Sequence, residues 1–204
     1  MRPGTPLYLI GFMACGKTTL GEALTSRMPG HRFVDLDEAV EAMAHKTIPE
    51  IFEHDGEAAF RALESEALRK FSEPGAIIAC GGGTPCQGGN MDFMLTTGTV
   101  VWLVADDDVT IRRLRLARGQ RPLVDKLLDD SDALWQHIAA LKAKREPHYS
   151  RAHLTFDSNR LEDEEQIADS VEKFMLMVKG RHNADKRKQK DIYTKDTKIF
   201  MSFF

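Results

Sequence analysis

Short apolar runs alternate along this chain with longer stretches whose apolar positions recur every three or four residues. L-Y-L-I (7–10), F-V-D-L (33–36), A-I-I-A-C (76–80), T-V-V-W-L-V (99–104) and H-L-T-F (153–156) predict five strands. The early ones are apolar almost throughout, as suits strands covered on both faces. Between them, T-T-L-G-E-A-L-T-S-R-M (18–28), E-A-A-F-R-A-L-E-S-E-A-L-R-K-F (57–71), V-T-I-R-R-L-R-L-A (109–117) and A-L-W-Q-H-I-A-A-L-K-A-K-R (133–145) are helical in pattern. Ile167, Val171, Phe174 and Val178 then form one stripe of an amphipathic helix. Repeated strand–helix units with short connections predict one α/β domain on a mainly parallel sheet. No internal repeat and no second domain are visible.

The pattern ends at Gly180. The remaining residues are polar and basic and close on I-F-M-S-F-F. They read as a disordered tail or appendage, the alternative being that the terminal phenylalanines dock on a partner.

Charge and cysteines narrow the class. The net charge of −3 divides into −7 for residues 1–180 and +4 beyond. An acidic body argues against a nucleic-acid partner, which would need a basic face. Cys15, Cys80 and Cys86 form no paired framework, as in a reducing compartment. No apolar run approaches the roughly 18 residues that span a bilayer, and M-R-P-G-T-P lacks the apolar stretch of a signal peptide. The expectation is a soluble cytoplasmic protein with no membrane partner.

Chemistry enters at G-F-M-A-C-G-K-T, residues 11–18. Gly-x4-Gly-Lys-Thr after a strand and before a helix is a phosphate-binding loop. Consecutive N–H groups and the positive end of the new helix converge on the anion. Lys17 reaches the β- and γ-phosphates, and the Thr18 hydroxyl is placed to ligate Mg²⁺. Cys15 sits where a helix N-terminus can lower a thiol's pKa; the plainer reading is a small residue fitting the loop.

Downstream, the period of two in F-V-D-L-D (33–37) places Val34 and Leu36 on one face and Asp35 and Asp37 on the other. Two carboxylates there can hold hydrated Mg²⁺, accept a hydroxyl proton or hydrogen-bond a polyol, while one of them, Asp37 before E-A-V-E-A-M, suits a helix N-cap. Arg61 lies four residues after Glu57 and three before Glu64, which by spacing alone is a surface ion-pair ladder. The strand A-I-I-A-C empties into Gly81, Gly82 and Gly83. Three glycines cost backbone entropy that a plain turn does not require, so they point to a ligand touching the backbone.

Together these segments resemble the shikimate kinase family over nearly all of residues 5–178. The resemblance lies in the phosphate loop, F-V-D-L-D-E-A-V-E, K-T-I-P-E-I-F-E-H-D-G-E-A-A-F-R-A-L-E, the glycine triplet, G-Q-R-P-L-V and K-R-E-P-H-Y. It implies a P-loop nucleoside-monophosphate-kinase-like α/β/α fold with strand order 2-3-1-4-5 and a mobile lid near 117–130. It implies transfer of a phosphoryl group from ATP to the 3-hydroxyl of shikimate, with Mg²⁺, in chorismate and aromatic amino-acid biosynthesis. A complete site within one chain lets a monomer suffice. Asp37 would bind the ring hydroxyls and act as base, and Asp35 would hold the Mg²⁺ shell with Thr18. Arg61 and Arg145 would grip the substrate carboxylate, a task suited to the guanidinium fork. Gly82 and Gly83 would offer N–H groups. ATP would be held by Ala14, Cys15, Gly16, Lys17, Thr18 and Thr19, with Arg113 on the adenine, its neighbours Arg112 and Arg115 being the alternatives, and Arg121 closing over the phosphates. The family usually has glycine where this chain has Ala14, a departure that bears on nucleotide affinity.

Two other readings share these features. One is a related small-molecule kinase, such as a gluconate kinase. The other is a nucleotide switch without catalysis, against which Lys17, Thr18, Asp35 and Asp37 all count.

Overall fold

Strand β1 (Leu7–Gly11) is buried at every position and occupies the centre of a five-stranded sheet. The structure, a computed structural model, describes residues 4–118 and 122–181. Around β1 lie β2 (Arg32–Asp35), β3 (Ala76–Ala79), β4 (Thr99–Val104) and β5 (Leu154–Asp157), in the order β2-β3-β1-β4-β5. All four pairings are parallel. Order and direction match the expected α/β architecture.

Because side chains alternate across a strand, β1 serves two cores. Leu7 and Leu9 face one layer, where they meet Leu20 and Leu24 of α1 (Lys17–Arg27) and Val171, Phe174 and Val178 of a last helix, α9, spanning 164–181. The predicted stripe is thus the buried face of α9, with Ile167 at its partly buried edge. Tyr8 and Ile10 face the opposite layer. This second layer includes α2 (Leu36–Ala44), α3 (Ile48–His54), α4 (Gly56–Phe71) and α5 (Asn90–Thr97). A third apolar cluster lies beside the sheet. It joins Phe12 to Ile111 and Leu114 of α6 (Asp107–Leu116), to Val124 of the short α7 (Pro122–Asp125), and to Leu134 and Ile138 of α8 (Ser131–Tyr149).

Several boundaries shift by a residue or more from the sequence reading, and one shift matters. The second strand stops at Asp35, whose carboxylate accepts from the Asp37 backbone N–H at 3.0 Å and caps α2. Asp35 rather than Asp37 is therefore the N-cap, and strand alternation does not reach Asp37, which lies in the first helical turn. The largest extension is in α8, which passes through Pro147 to end at Tyr149.

The helices after β1 and β3 pack on opposite faces, α1 on one and α5 on the other. The chain thus parts at the carboxyl ends of two adjacent strands, the point where open α/β sheets bind ligands. Among the described residues no helix is long and apolar enough to cross a membrane. Cys15, Cys80 and Cys86 are free. Arg121, at the heart of the expected lid, and the tail beyond 181 lie outside the described residues.

Candidate active site

A cleft of about 490 Å³ opens at this switch point, lined by the loop after β1, the start of α2 and the loop after β3. Ala14, Gly16, Lys17, Thr18, Thr19 and Arg113 line one end, and Asp35, Asp37, Gly81 and Gly82 the other.

The phosphate loop takes its shape from backbone constraints. Gly11 (φ 146°) and Gly16 (φ 89°) occupy conformations L side chains rarely adopt. A Cβ on Gly11 would meet the Leu103 carbonyl oxygen at 2.5 Å, and one on Gly16 the Leu161 side chain at 2.5 Å. Ala14 also has positive φ, 57°, one of two such non-glycine residues among those described. Its carbonyl accepts from Arg113 Nη1 at 3.4 Å. The Lys17 ammonium donates to the carbonyls of Gly11 and Phe12 at 3.1 and 2.8 Å. Cys15 is buried beneath the loop, 3.6 Å from Lys17 Nζ, and does not line the cleft.

Thr18 Oγ1 donates to Asp35 Oδ2 at 2.9 Å. Among the described residues no set of three or more His, Cys, Asp or Glu forms a protein-only metal cage. Mg²⁺ commonly uses one or two carboxylates, with water and substrate phosphates completing its shell. A hydroxyl and a carboxylate in contact on the cleft wall, both hard oxygen donors, fit that requirement.

Arg113 braces the nucleotide end. Its Nε donates to Glu162 at 3.0 Å, and Nη2 to the carbonyls of Ser158 and Asn159 at 3.0 and 3.2 Å. Partial burial raises the Glu162 pKa, but the Arg112 hydrogen bond and the Arg113 charge outweigh it, leaving the carboxyl below its usual range. Arg113 thereby ties the β5–α9 connection to the phosphate loop, with its edge occupied by acceptors.

At the other end, the glycine triplet is crowded by charged side chains. A Cβ on Gly81 would lie 2.8 Å from Asp37 Oδ1 and 2.9 Å from Glu64 Oε1; on Gly82, 2.8 Å from Arg145 Nη1; on Gly83, 2.9 Å from Arg61 Nη1. Three elements distant in sequence thus deliver Asp37, Arg61 and Arg145 onto three consecutive backbone positions. Arg61, Gly83 and Arg145 adjoin the cleft without lining it. Among the described residues neither the Gly82 nor the Gly83 N–H has an acceptor. The ladder anticipated for Arg61 is present as well, with Glu57 at 3.2 Å and Glu64 at 3.0 Å.

Sequence reasoning placed Glu64 only in that ladder and did not single out Tyr149 or Phe12. Glu64 is 1% exposed and also accepts from Thr84 Oγ1 at 2.5 Å, so it anchors Arg61 from inside the core. Tyr149, also 1% exposed, donates its hydroxyl to the Gly82 carbonyl at 2.5 Å. The Phe12 ring lies 5.7 Å from the Arg145 guanidinium carbon, within cation–π range. The signal for Tyr149 was Pro147, a helix breaker that something beyond it had to overrule.

The shikimate kinase family model matches residues 13–176. A shikimate kinase from Bacteroides thetaiotaomicron is 40% identical over 173 residues, 84% of this chain and 97% of that protein. The crystal structure of a shikimate kinase from the same organism superposes with a TM-score of 0.79 at 39% identity, covering 86% of this chain and 98% of that one. A shikimate kinase from Acinetobacter baumannii, solved in complex with shikimate, gives a TM-score of 0.73 at 30% identity, over 87% of this chain and 94% of that one. Sequence, sheet order and the site at the switch point agree, and the chain belongs to the shikimate kinase family.

Proposed function

We propose that this protein transfers the γ-phosphoryl group of ATP to the 3-hydroxyl of shikimate, giving shikimate 3-phosphate and ADP on the route to chorismate. The observation that carries the reading is the convergence of Asp37, Arg61 and Arg145 on the glycine triplet, facing a phosphate loop across one cleft. Phosphoryl transfer asks a protein mainly for positioning and charge neutralisation. Lys17 and the N–H groups of residues 14–19 would hold the phosphates, and Arg113 would present its guanidinium face to the adenine. Thr18 and Asp35 would hold Mg²⁺, which when bound neutralises charge on the phosphates. Arg61 and Arg145 would bind the acceptor carboxylate, with the Gly82 and Gly83 N–H groups beside them. Asp37 would then orient the 3-hydroxyl and take its proton. Arg121 is the cation assigned to the transferring phosphoryl group from the 117–130 lid.

Residues 1–180 in this reading are one kinase domain, to which Arg181 is tied through the His153 carbonyl, and 182–204 are an appendage. The described residues of the site come from one chain, so a monomer suffices, and the cytoplasm supplies both substrates. The test is ADP release with shikimate as sole acceptor, run beside gluconate. Turnover of shikimate is expected, and a preference for gluconate would overturn the reading.

A further inference from the structure

Helix α8 continues where local chemistry opposes it. Pro147 has no N–H to give the carbonyl one turn back, and its ring crowds that carbonyl. The helix nonetheless reaches Tyr149, and Ser150 N–H closes the last turn on Glu146 O at 2.8 Å. The compensation is tertiary. The Tyr149 ring packs in the core beside Trp102, ring centroids 5.8 Å apart, and its hydroxyl ends on the Gly82 carbonyl.

Arg145 precedes Tyr149 by four residues and so shares its helix face. Both side chains arrive at Gly82: a Cβ there would lie 2.8 Å from Arg145 Nη1 and 3.7 Å from the Tyr149 hydroxyl. Burial pushes the Tyr149 pKa well above the ordinary phenol value, and the Arg145 charge only partly opposes it. The hydroxyl therefore keeps its proton and donates to Gly82 at every pH the protein meets. Since a trans peptide is planar, fixing the Gly82 carbonyl also fixes the Gly83 N–H, which points the opposite way.

We infer that Tyr149 is a positioning residue for the acceptor: its hydroxyl holds the Gly82–Gly83 peptide in place beside the Arg145 guanidinium, presetting an N–H next to a cation for a carboxylate-bearing polyol. The inference rests on the acceptor reading above and extends it to a residue that need not touch the substrate.

Tyr149→Phe keeps the ring packing and removes only the hydroxyl. Its KM for shikimate should rise about tenfold, the factor for one buried hydrogen bond, with KM for ATP unchanged. In an Arg145→Ala background the same change should shrink to roughly threefold, because the two groups act together. An unchanged shikimate KM, equal rises in both KM values, or full additivity with Arg145→Ala would overturn the inference. A readout without acceptor separates it from the reading it rests on. The Gly83 backbone N–H resonance should shift and exchange faster in Tyr149→Phe, and identical signals would overturn the inference whichever acceptor the enzyme prefers.

Discussion

Replacing Gly83 by alanine would test whether the glycine triplet exists to admit the arginines. Gly83 has φ −94° and ψ −16°, an ordinary right-handed conformation, so alanine meets no backbone strain. It would even stabilise by about 0.4–1 kcal/mol through the unfolded chain. The cost falls on Arg61, whose Nη1, Nη2 and Cζ would lie 2.9, 3.1 and 3.2 Å from the new methyl. Contact at roughly 3.5–4 Å requires the guanidinium to retreat. That retreat stretches its 3.0 Å bond to buried Glu64. Loss of such a charge-assisted bond costs about 1.5–3 kcal/mol. The net is a destabilisation of about 1–2 kcal/mol, or a Tm lower by about 2–8 °C for a chain of this size. Misaligning a partly buried cation against a carboxylate costs about 2 kcal/mol, so kcat/KM for shikimate should fall about thirtyfold. KM for ATP should hold. Steady-state kinetics with a thermal melt measures both, and a shikimate kcat/KM within about threefold of the parent would refute the crowding argument. In an Arg61→Ala background, Gly83→Ala should be nearly neutral.

Other expectations follow from the same geometry. Asp37→Asn removes the candidate base but leaves the phosphate loop untouched, so kcat should drop by about 10²–10⁴ with ATP affinity retained; a substantially retained kcat would remove Asp37 from the chemistry. Ala14→Gly relieves a left-handed alanine costing about 1–2 kcal/mol, partly offset by glycine's greater unfolded entropy. Its melt should therefore rise by a few degrees or stay level, and a clear fall would show that the Ala14 methyl packs favourably on the Phe12 cluster. Deleting 182–204 should leave turnover unchanged, whereas Arg181 should be kept because it donates to the His153 carbonyl at 2.7 Å. Cys80 is buried, and burial followed by the Glu64 charge pushes its thiol pKa far up. It should resist alkylation in the native protein through pH 9, and ready labelling would show that the end of β3 opens.

Much of this molecule was legible in the chain. Strands such as L-Y-L-I and A-I-I-A-C declare two-sided burial, because a strand between two helical layers has no polar face to show. The phosphate loop declares itself because its spacing admits few other uses. Legibility fails where local patterns have two outcomes. D-L-D reads equally well as strand alternation or as a helix start, and the bond from the Asp37 N–H to Asp35 decides for the helix. Arg61 does form its ladder, so periodicity was right about Glu57 and Glu64 and silent about Gly83. Nothing local marks Ala14 for a positive φ. The pattern that read as helix to Arg145 missed its continuation through Pro147 to the buried Tyr149.

The sequence by itself determined the two-sided burial of the early strands, the buried stripe of the last helix, the order of elements along the chain and the presence of a phosphate loop. These depend on periods of 2.0 and 3.6 residues and on spacing within one turn. Only the tertiary structure decided that Asp37, Arg145 and Arg61 meet over Gly81, Gly82 and Gly83 in turn. That meeting requires α2, α4 and α8 to pack on one side of the sheet near the carboxyl end of β3, and no local pattern records where separate elements cross.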